Sequence, residues 1–446
     1  MAQLLKSVNW RHASFGGLAL LMSCTALAQS GPRPETSPGQ DPRRAGGAKI
    51  TTDPNPPTNA RENDDTDQLA DRYQPKGITL GKFLLLPKIE FDQTYNDNIY
   101  ATEEGKKSDF ISIVRPEVTL RLREPNYFWN TNVSLEASRY SKYKDDNTVQ
   151  GRVVTDGLYE FNRSFEVSGS YIFSALAEER GSNEAEQGKE PTKIWTNDAR
   201  VGGKVRQGRY TFALDGGATK LAYDNVPTTI GTIDNSDRDR TQYLLSGRAS
   251  YEIFPGYAAV IAASVNQRDY DRGLDRAGYD RDSSGYRVEG GIGVDLAETI
   301  RGDFLLGYLS QDYKDKRFKD PAGLAFKASF NWTPSRLTLV VPTFERSVQE
   351  TTMLNVSGMV RTSASVLVRH EYARNILLTG FAGVYYDDFK GINRDSILYE
   401  MRGRVTYAFN ENVFVSGELA HRTKDSELVN RSFNQNFIGL RLGLQM

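Results

Sequence analysis

The sequence predicts an all-β fold, a transmembrane antiparallel up-and-down β-barrel of about 18 strands. Three observations predict it. From Gly77 onward apolar and polar residues alternate with period two, and the pattern persists to the C-terminus. Short turns alternate with long, polar, Asp-rich connections. An export signature opens the chain, and no later run offers the ~20 consecutive apolar residues that a spanning helix needs. Strands that are apolar on one face only are what remains to cross a membrane.

The bulk composition is compatible with that fold without requiring it. Of 446 residues, 25% are charged and 38% hydrophobic, values that also suit a soluble protein of two or three domains. A formal net charge of −1 provides no basic field, so no nucleic-acid partner is expected.

The first element is a secretory signal over residues 1–28. Lys6, Arg11 and His12 precede a short apolar run from Phe15, which ends in Ala26-Leu27-Ala28. Cys24, the only cysteine, lies inside it, so cleavage after Ala28 leaves a mature chain without thiols. Leu21-Met22-Ser23-Cys24 loosely resembles a lipoprotein cleavage box, but Ala-Leu-Ala is the better site. Residues 29–76 follow, rich in Pro, Gly, Asp, Asn and Arg. With almost nothing to bury, this segment cannot offset the entropy of ordering, and it reads as a disordered periplasmic arm.

Residues 77–446 form the barrel. The clearest strand is Ile397–Tyr407, where odd positions are apolar or small and even positions include Glu400, Arg402, Arg404 and Thr406. Similar alternation marks 129–137, 165–173, 286–296 and 413–419. Short turns fall near 124–126, 162–164, 207–209, 254–256, 297–299, 333–335, 373–374 and 410–412. Long connections fall at 176–193, 224–239, 271–283, 314–323 and 423–432. Short turns belong on the periplasmic side and long loops outside, so residues 181–189 and 274–280 are expected at the cell surface. Tyr95, Tyr143, Tyr223, Tyr270, Tyr313 and Tyr386 each stand within two residues of an aspartate where a strand enters a long loop. The affinity of tyrosine for the membrane–water boundary places these six rings in an interfacial belt. A soluble all-β sandwich would need a second layer over its apolar faces, and the opposite faces here are too consistently charged for one.

No catalytic constellation emerges. His370 and His421 are expected at opposite ends of the barrel, too far apart to share a metal or a proton. Asp269–Asp282 carries many aspartates but lacks the EF-hand spacing, and its arginines make it a self-neutralised, solvated loop. Gly202-Gly203, Gly216-Gly217 and Gly290-Gly291 lie within strands, so they cradle no phosphate. No enzyme, metal or cofactor is expected. The candidate site is the lumen wall, for which alternation selects Lys88, Glu90, Asp92, Glu136, Arg287, Glu289, Glu400, Arg402, Arg404 and Glu418. Both signs occur there, so strong selection for small anions or small cations is not expected.

Gly81–Asn98 with Lys107–Phe110, and then Arg268–Asp271, Tyr279–Tyr286, Gly307–Tyr313 and Ser347–Thr352, resemble the putative β-barrel porin 2 family in register from about residue 77 to the end. The resemblance implies a bacterial outer-membrane barrel, often associated with exopolysaccharide synthesis and export, and it transfers no catalytic residue. Its implied partners are outer-membrane lipid, a polysaccharide substrate and a periplasmic polysaccharide-export protein. The expectation is therefore an exopolysaccharide channel. A general porin for small hydrophilic solutes and a structural or adhesive barrel are its alternatives. One departure is the terminal Met446 where many such barrels end in an aromatic, although Ile438, Leu440, Leu442 and Leu444 still supply an apolar face.

Overall fold

Alternation of this kind has one stable outcome in lipid, a sheet closed on itself so that no backbone group is left at an edge. The computed structural model describes residues 73–446 except 186–187, 229–230 and 297–298. The expected signal peptide and all but the last residues of the expected arm lie outside the described residues.

Eighteen long strands build the wall among the described residues. They are β1 Phe83–Asn96, β2 Asp109–Arg123, β3 Tyr127–Tyr140, β4 Thr148–Asn162, β5 Phe165–Ala177 and β6 Lys193–Gln207. Then come β7 Tyr210–Tyr223, β8 Arg240–Phe254, β9 Tyr257–Tyr270, β10 Ser283–Leu296, β11 Ile300–Tyr313 and β12 Ala322–Ser335. The series ends with β13 Thr338–Glu350, β14 Gly358–Ala373, β15 Ile376–Lys390, β16 Arg394–Ala408, β17 Val413–Ser426 and β18 Phe433–Gln445. Each pairs antiparallel with its neighbours in sequence. β1 pairs with β18 from Lys88↔Gln445 to Asn96↔Phe437, which closes the barrel. Closure runs through Ile438, Leu440, Leu442 and Leu444, all outward and exposed, so a terminal aromatic is not needed for it. The strands are 13 to 16 residues long. That exceeds the ~10 that span an outer membrane, because pairing continues beyond the lipid on the long-loop side.

Below the end of β18, residues Ile78–Leu80 take the vacant edge of β1, with Ile78↔Leu85 and Leu80↔Phe83 in register. The reversal at Gly81 has φ +62°, a conformation in which a Cβ is strained.

The two faces settle the solvent. Met401 is 60% exposed while its neighbour Glu400 is 5% exposed, and Val288 is 49% exposed beside Glu289 at 6%. A water-soluble sheet protein has the opposite arrangement. Here the apolar face is the outer one and meets lipid. Aromatic rings gather at the short-turn end of that face. Tyr127, Tyr159, Phe161 and Phe165 form one contiguous series, and Tyr210 touches Phe212 and Tyr251. Such a girdle marks a membrane interface.

The six-tyrosine belt at the other end is only partly formed. Tyr95 and Tyr386 sit on the outer face, and Tyr143 lies in a loop against Tyr100. Tyr223, Tyr270 and Tyr313 are 9%, 8% and 0% exposed and point inward. Parity overrides the preference of the ring. Tyr270 shares its face with Arg268, and Tyr313 shares its face with Gln311, so both follow the polar side of their strands. The 271–282 connection departs from expectation in a similar way. It is self-neutralised, through Arg281–Asp275 and Arg276–Asp237 pairs of 2.6 and 2.9 Å. It is not solvated throughout, because Arg281 is 1% exposed and donates to the carbonyls of Thr351, Met353 and Val356.

The lumen wall and the loop that crosses it

All ten residues selected from the sequence lie on the inner face, and their outward neighbours are apolar or small except for Gln93 beside Asp92. They form neutralised groups. Around β1, Lys88 pairs with Glu117 at 3.2 Å and lies 3.6 Å from Glu90. Arg115 pairs with Asp92 and, at 2.5 Å, with Glu136. Arg441 of β18 reaches Asp92 at 2.9 Å and Glu90 at 3.2 Å, across the seam of the barrel. On β16 and β17, Arg402 pairs with Glu400 at 2.8 Å. Arg404 stands directly opposite Glu418 and donates to it at 2.8 Å. On β10, Arg287 pairs with Glu289 at 2.6 Å and donates to the Arg346 carbonyl at 2.7 Å. Sequence alternation selected the other side chains of these groups. It missed Arg115, Glu117 and Arg441, which the same parity rule applied to β2 and β18 would have found.

The largest omission is a loop. In the connection 178–192, residues 178–185 leave β5 and fold into the mouth instead of standing outside. The Asn183 amide donates to Asp387 Oδ2 of β15 at 2.7 Å and accepts from Lys424 Nζ of β17 at 2.5 Å. Arg361 of β14 holds Asp387 from the other side at 2.6 and 2.8 Å. β14 stands nine places from β5 (14 − 5) in an eighteen-strand ring, so the loop spans the lumen to the opposite wall. Further ties secure it. Glu178 pairs with Arg238, Glu179 with Arg422, and Arg180 with Asp146, at 2.6, 3.0 and 2.7 Å. Glu184 accepts from the Thr352 amide at 3.1 Å, and Arg431 donates to the Ala185 carbonyl at 2.7 Å. The sequence carries no signal for this. Its charges look like those of any solvated loop.

Beside the crossing loop, Glu350 accepts from Tyr270 Oη at 2.8 Å and Tyr313 Oη at 2.9 Å and pairs with Arg268. These groups come from β9, β11 and β13, so the contacts run across the interior rather than between adjacent strands. Glu179 is partly buried in the mouth, with 23% of its side-chain surface exposed. Burial lifts its carboxyl above the ordinary range, against the pull of Arg422.

The histidines are apart and engaged. His370 shares a hydrogen bond with Thr338 at 2.9 Å, near a short turn, and His421 shares one with Asn436 at 2.8 Å. No cluster of three or more potential metal ligands occurs among the described residues, and no helix among them is long and apolar enough to cross a membrane.

A closed antiparallel barrel of 18 strands, apolar outside and ion-paired inside, matches the family model described as putative beta-barrel porin 2 over residues 71–446. The chain belongs to that family. This porin-family chain is therefore a porin-like barrel of the bacterial outer membrane. No curated protein matches its sequence. Among solved structures it is similar to a BenF-like porin from Pseudomonas fluorescens Pf-5, at 9% identity and TM-score 0.41, covering 81% of this chain and 99% of that one. It is also similar to OpdO of Pseudomonas aeruginosa, at 11% identity and TM-score 0.41, covering 82% and 98%. The siderophore receptor PirA from Acinetobacter baumannii matches at 8% identity and TM-score 0.44, covering 81% and 80%.

Proposed function

We propose that the barrel is a non-enzymatic passage through the outer membrane for hydrated carbohydrate, and that its cargo is an exopolysaccharide leaving the cell. The observation that carries this reading is the pairing of the wall charges. Lys88, Glu90, Asp92, Glu136, Arg287, Glu289, Glu400, Arg402, Arg404 and Glu418 all lie in mixed-sign groups. In this reading they line the passage and present hydrogen-bonding groups without a net field. Such a wall neither traps nor repels a neutral or weakly charged polymer. A periplasmic polysaccharide-export protein is the partner this reading requires, and the outer-membrane lipid is its solvent.

A general porin for small hydrophilic solutes is the second reading, favoured by the crossing loop at 178–192, which divides the mouth. Deleting the gene separates the two. An exporter's loss stops surface polymer and leaves small-solute uptake almost unchanged, whereas a general porin's loss slows uptake and spares the polymer. Normal surface polysaccharide in a deletion strain with no second barrel of this kind would sink the export reading.

A further inference from the structure

The inner wall is not uniform around its circumference. From β16 through β18 to β2 it is a belt of ion pairs, whereas the middle of the β3–β5 sector carries mainly hydroxyls, amides and one cation, with the carboxylates Glu136 and Glu166 held by cations of the adjoining strands and Asp156 and Glu160 lower on β4. In register across these three strands, Ser134, Arg152 and Ser174 form one row, Asn132, Val154 and Ile172 the next, and Asn130, Asp156 and Ser170 a third. All nine residues share the inner face, opposite the exposed Val133, Leu135, Tyr159 and Phe161.

Arg152 is the unusual member. Arg115, Arg248, Arg287, Arg404 and Arg441 each hold a carboxylate. Arg152 has no hydrogen-bond or ion-pair partner among the described residues, and its flanking neighbours across both strands are serines. The carboxylates around it are engaged elsewhere: Glu136, its diagonal neighbour on β3, holds Arg115, and Asp156, four residues along its own strand face or about 13 Å away at ~3.3 Å per residue, is hydrogen-bonded to Asn130. An inward guanidinium left without an anion retains its full fork of donors. The row lies just beneath the crossing loop. The Gln150 side chain, two residues along β4, accepts from the Ala177 amide where that loop departs.

The geometry points to a recognition site on β3–β5 for a sugar bearing a carboxylate, with Arg152 taking the acid group. This inference rests on the carbohydrate reading above and narrows its substrate to acidic sugars. Ser134 and Ser174 flank the guanidinium with hydroxyls that both donate and accept, as a sugar's own hydroxyls require. Val154 and Ile172 form an apolar step one row down, matching the C–H face of a pyranose ring. Bidentate capture of a carboxylate by an arginine is shorter and stronger than a neutral hydrogen bond.

The test uses the purified barrel in a planar bilayer, with current block by tetragalacturonate compared with block by maltotetraose. The wild type should bind the acidic tetrasaccharide more tightly. Arg152→Gln should weaken that binding about tenfold, equivalent to about 1.4 kcal/mol, and leave maltotetraose unchanged. Arg152→Lys should recover part of the loss, because it restores the charge without the planar fork. Heat-modifiability of each variant checks the fold. Unchanged tetragalacturonate block in Arg152→Gln, or an equal loss for both sugars, overturns the inference while the carbohydrate reading stands. Absence of block by either sugar in the wild type overturns both.

Discussion

Glu178 and Arg238 form a buried ion pair with two hydrogen bonds, Nη1 to Oε2 at 3.0 Å and Nη2 to Oε1 at 2.6 Å, their side chains 2% and 4% exposed. Arg238 also lies over the Tyr223 ring at 4.1 Å. The pair joins the root of the crossing loop to the 224–239 connection, two strands further round the barrel.

Breaking that pair should free the loop. Arg238→Ala leaves Glu178 buried without its partner, which costs about 3–5 kcal/mol in such settings. The cost falls on the docked loop and not on the strand ladder. Single-channel recordings should show higher or noisier conductance, and protease should nick 178–192 while the barrel stays heat-modifiable. A quiet, protease-resistant channel would contradict the assigned role of the pair.

Surface labelling tests both the orientation and the inward loop. The sole cysteine is Cys24, inside the expected signal, so each variant is read against the unmodified chain as the control. On intact cells Val429→Cys, at a position 78% exposed, should react with an impermeant maleimide. Asn183→Cys, at a position 2% exposed, should react slowly. Arg336→Cys, in a short turn, should react only after the outer membrane is opened. Rapid labelling at 183 would return the loop to the outside.

The two faces of β16 should respond oppositely to substitution. Met401→Arg places a charge against lipid and should cost about 2–4 kcal/mol near the midplane. Arg402→Ser removes a lumen charge and should leave a folded barrel, although Glu400 loses its partner. Urea refolding into vesicles measures the difference, and equal damage would refute the face assignment.

Acidification should tighten the mouth. The Glu179 carboxyl, facing Arg422, Arg402 and Glu400, is raised above its ordinary 4.5 by burial. The docked loop therefore binds a proton more strongly than the released loop. Its contribution to docking is fully present below 4.5 and is lost as pH climbs through the raised value. Conductance should rise with pH across that window, and Glu179→Gln should flatten the response at the acid level. A pH response that survives in the Gln variant would assign it to another group.

Much of the fold was legible because strand faces are a local property. The side of Met401 relative to Arg402 follows from adjacency alone, as does that of Val288 relative to Glu289. The approximate strand number follows from repeated hairpins of similar length. The same rule, followed further, would have placed Tyr270 and Tyr313 inside. At those two positions strand parity outweighs the preference of the tyrosine ring for the interface.

The sequence by itself determined the strands, their apolar and charged faces, the alternation of turns with long connections, and hence a closed barrel in lipid. Each depends on residues one or two positions apart. Only the tertiary structure decided how the inner charges pair and that residues 178–185 reach across the lumen. Asn183 meets Asp387 across 204 positions of sequence, and Arg441 meets Asp92 across the seam only because the sheet has closed. Such contacts depend on where the curvature of the whole wall brings distant side chains, and no local period records that.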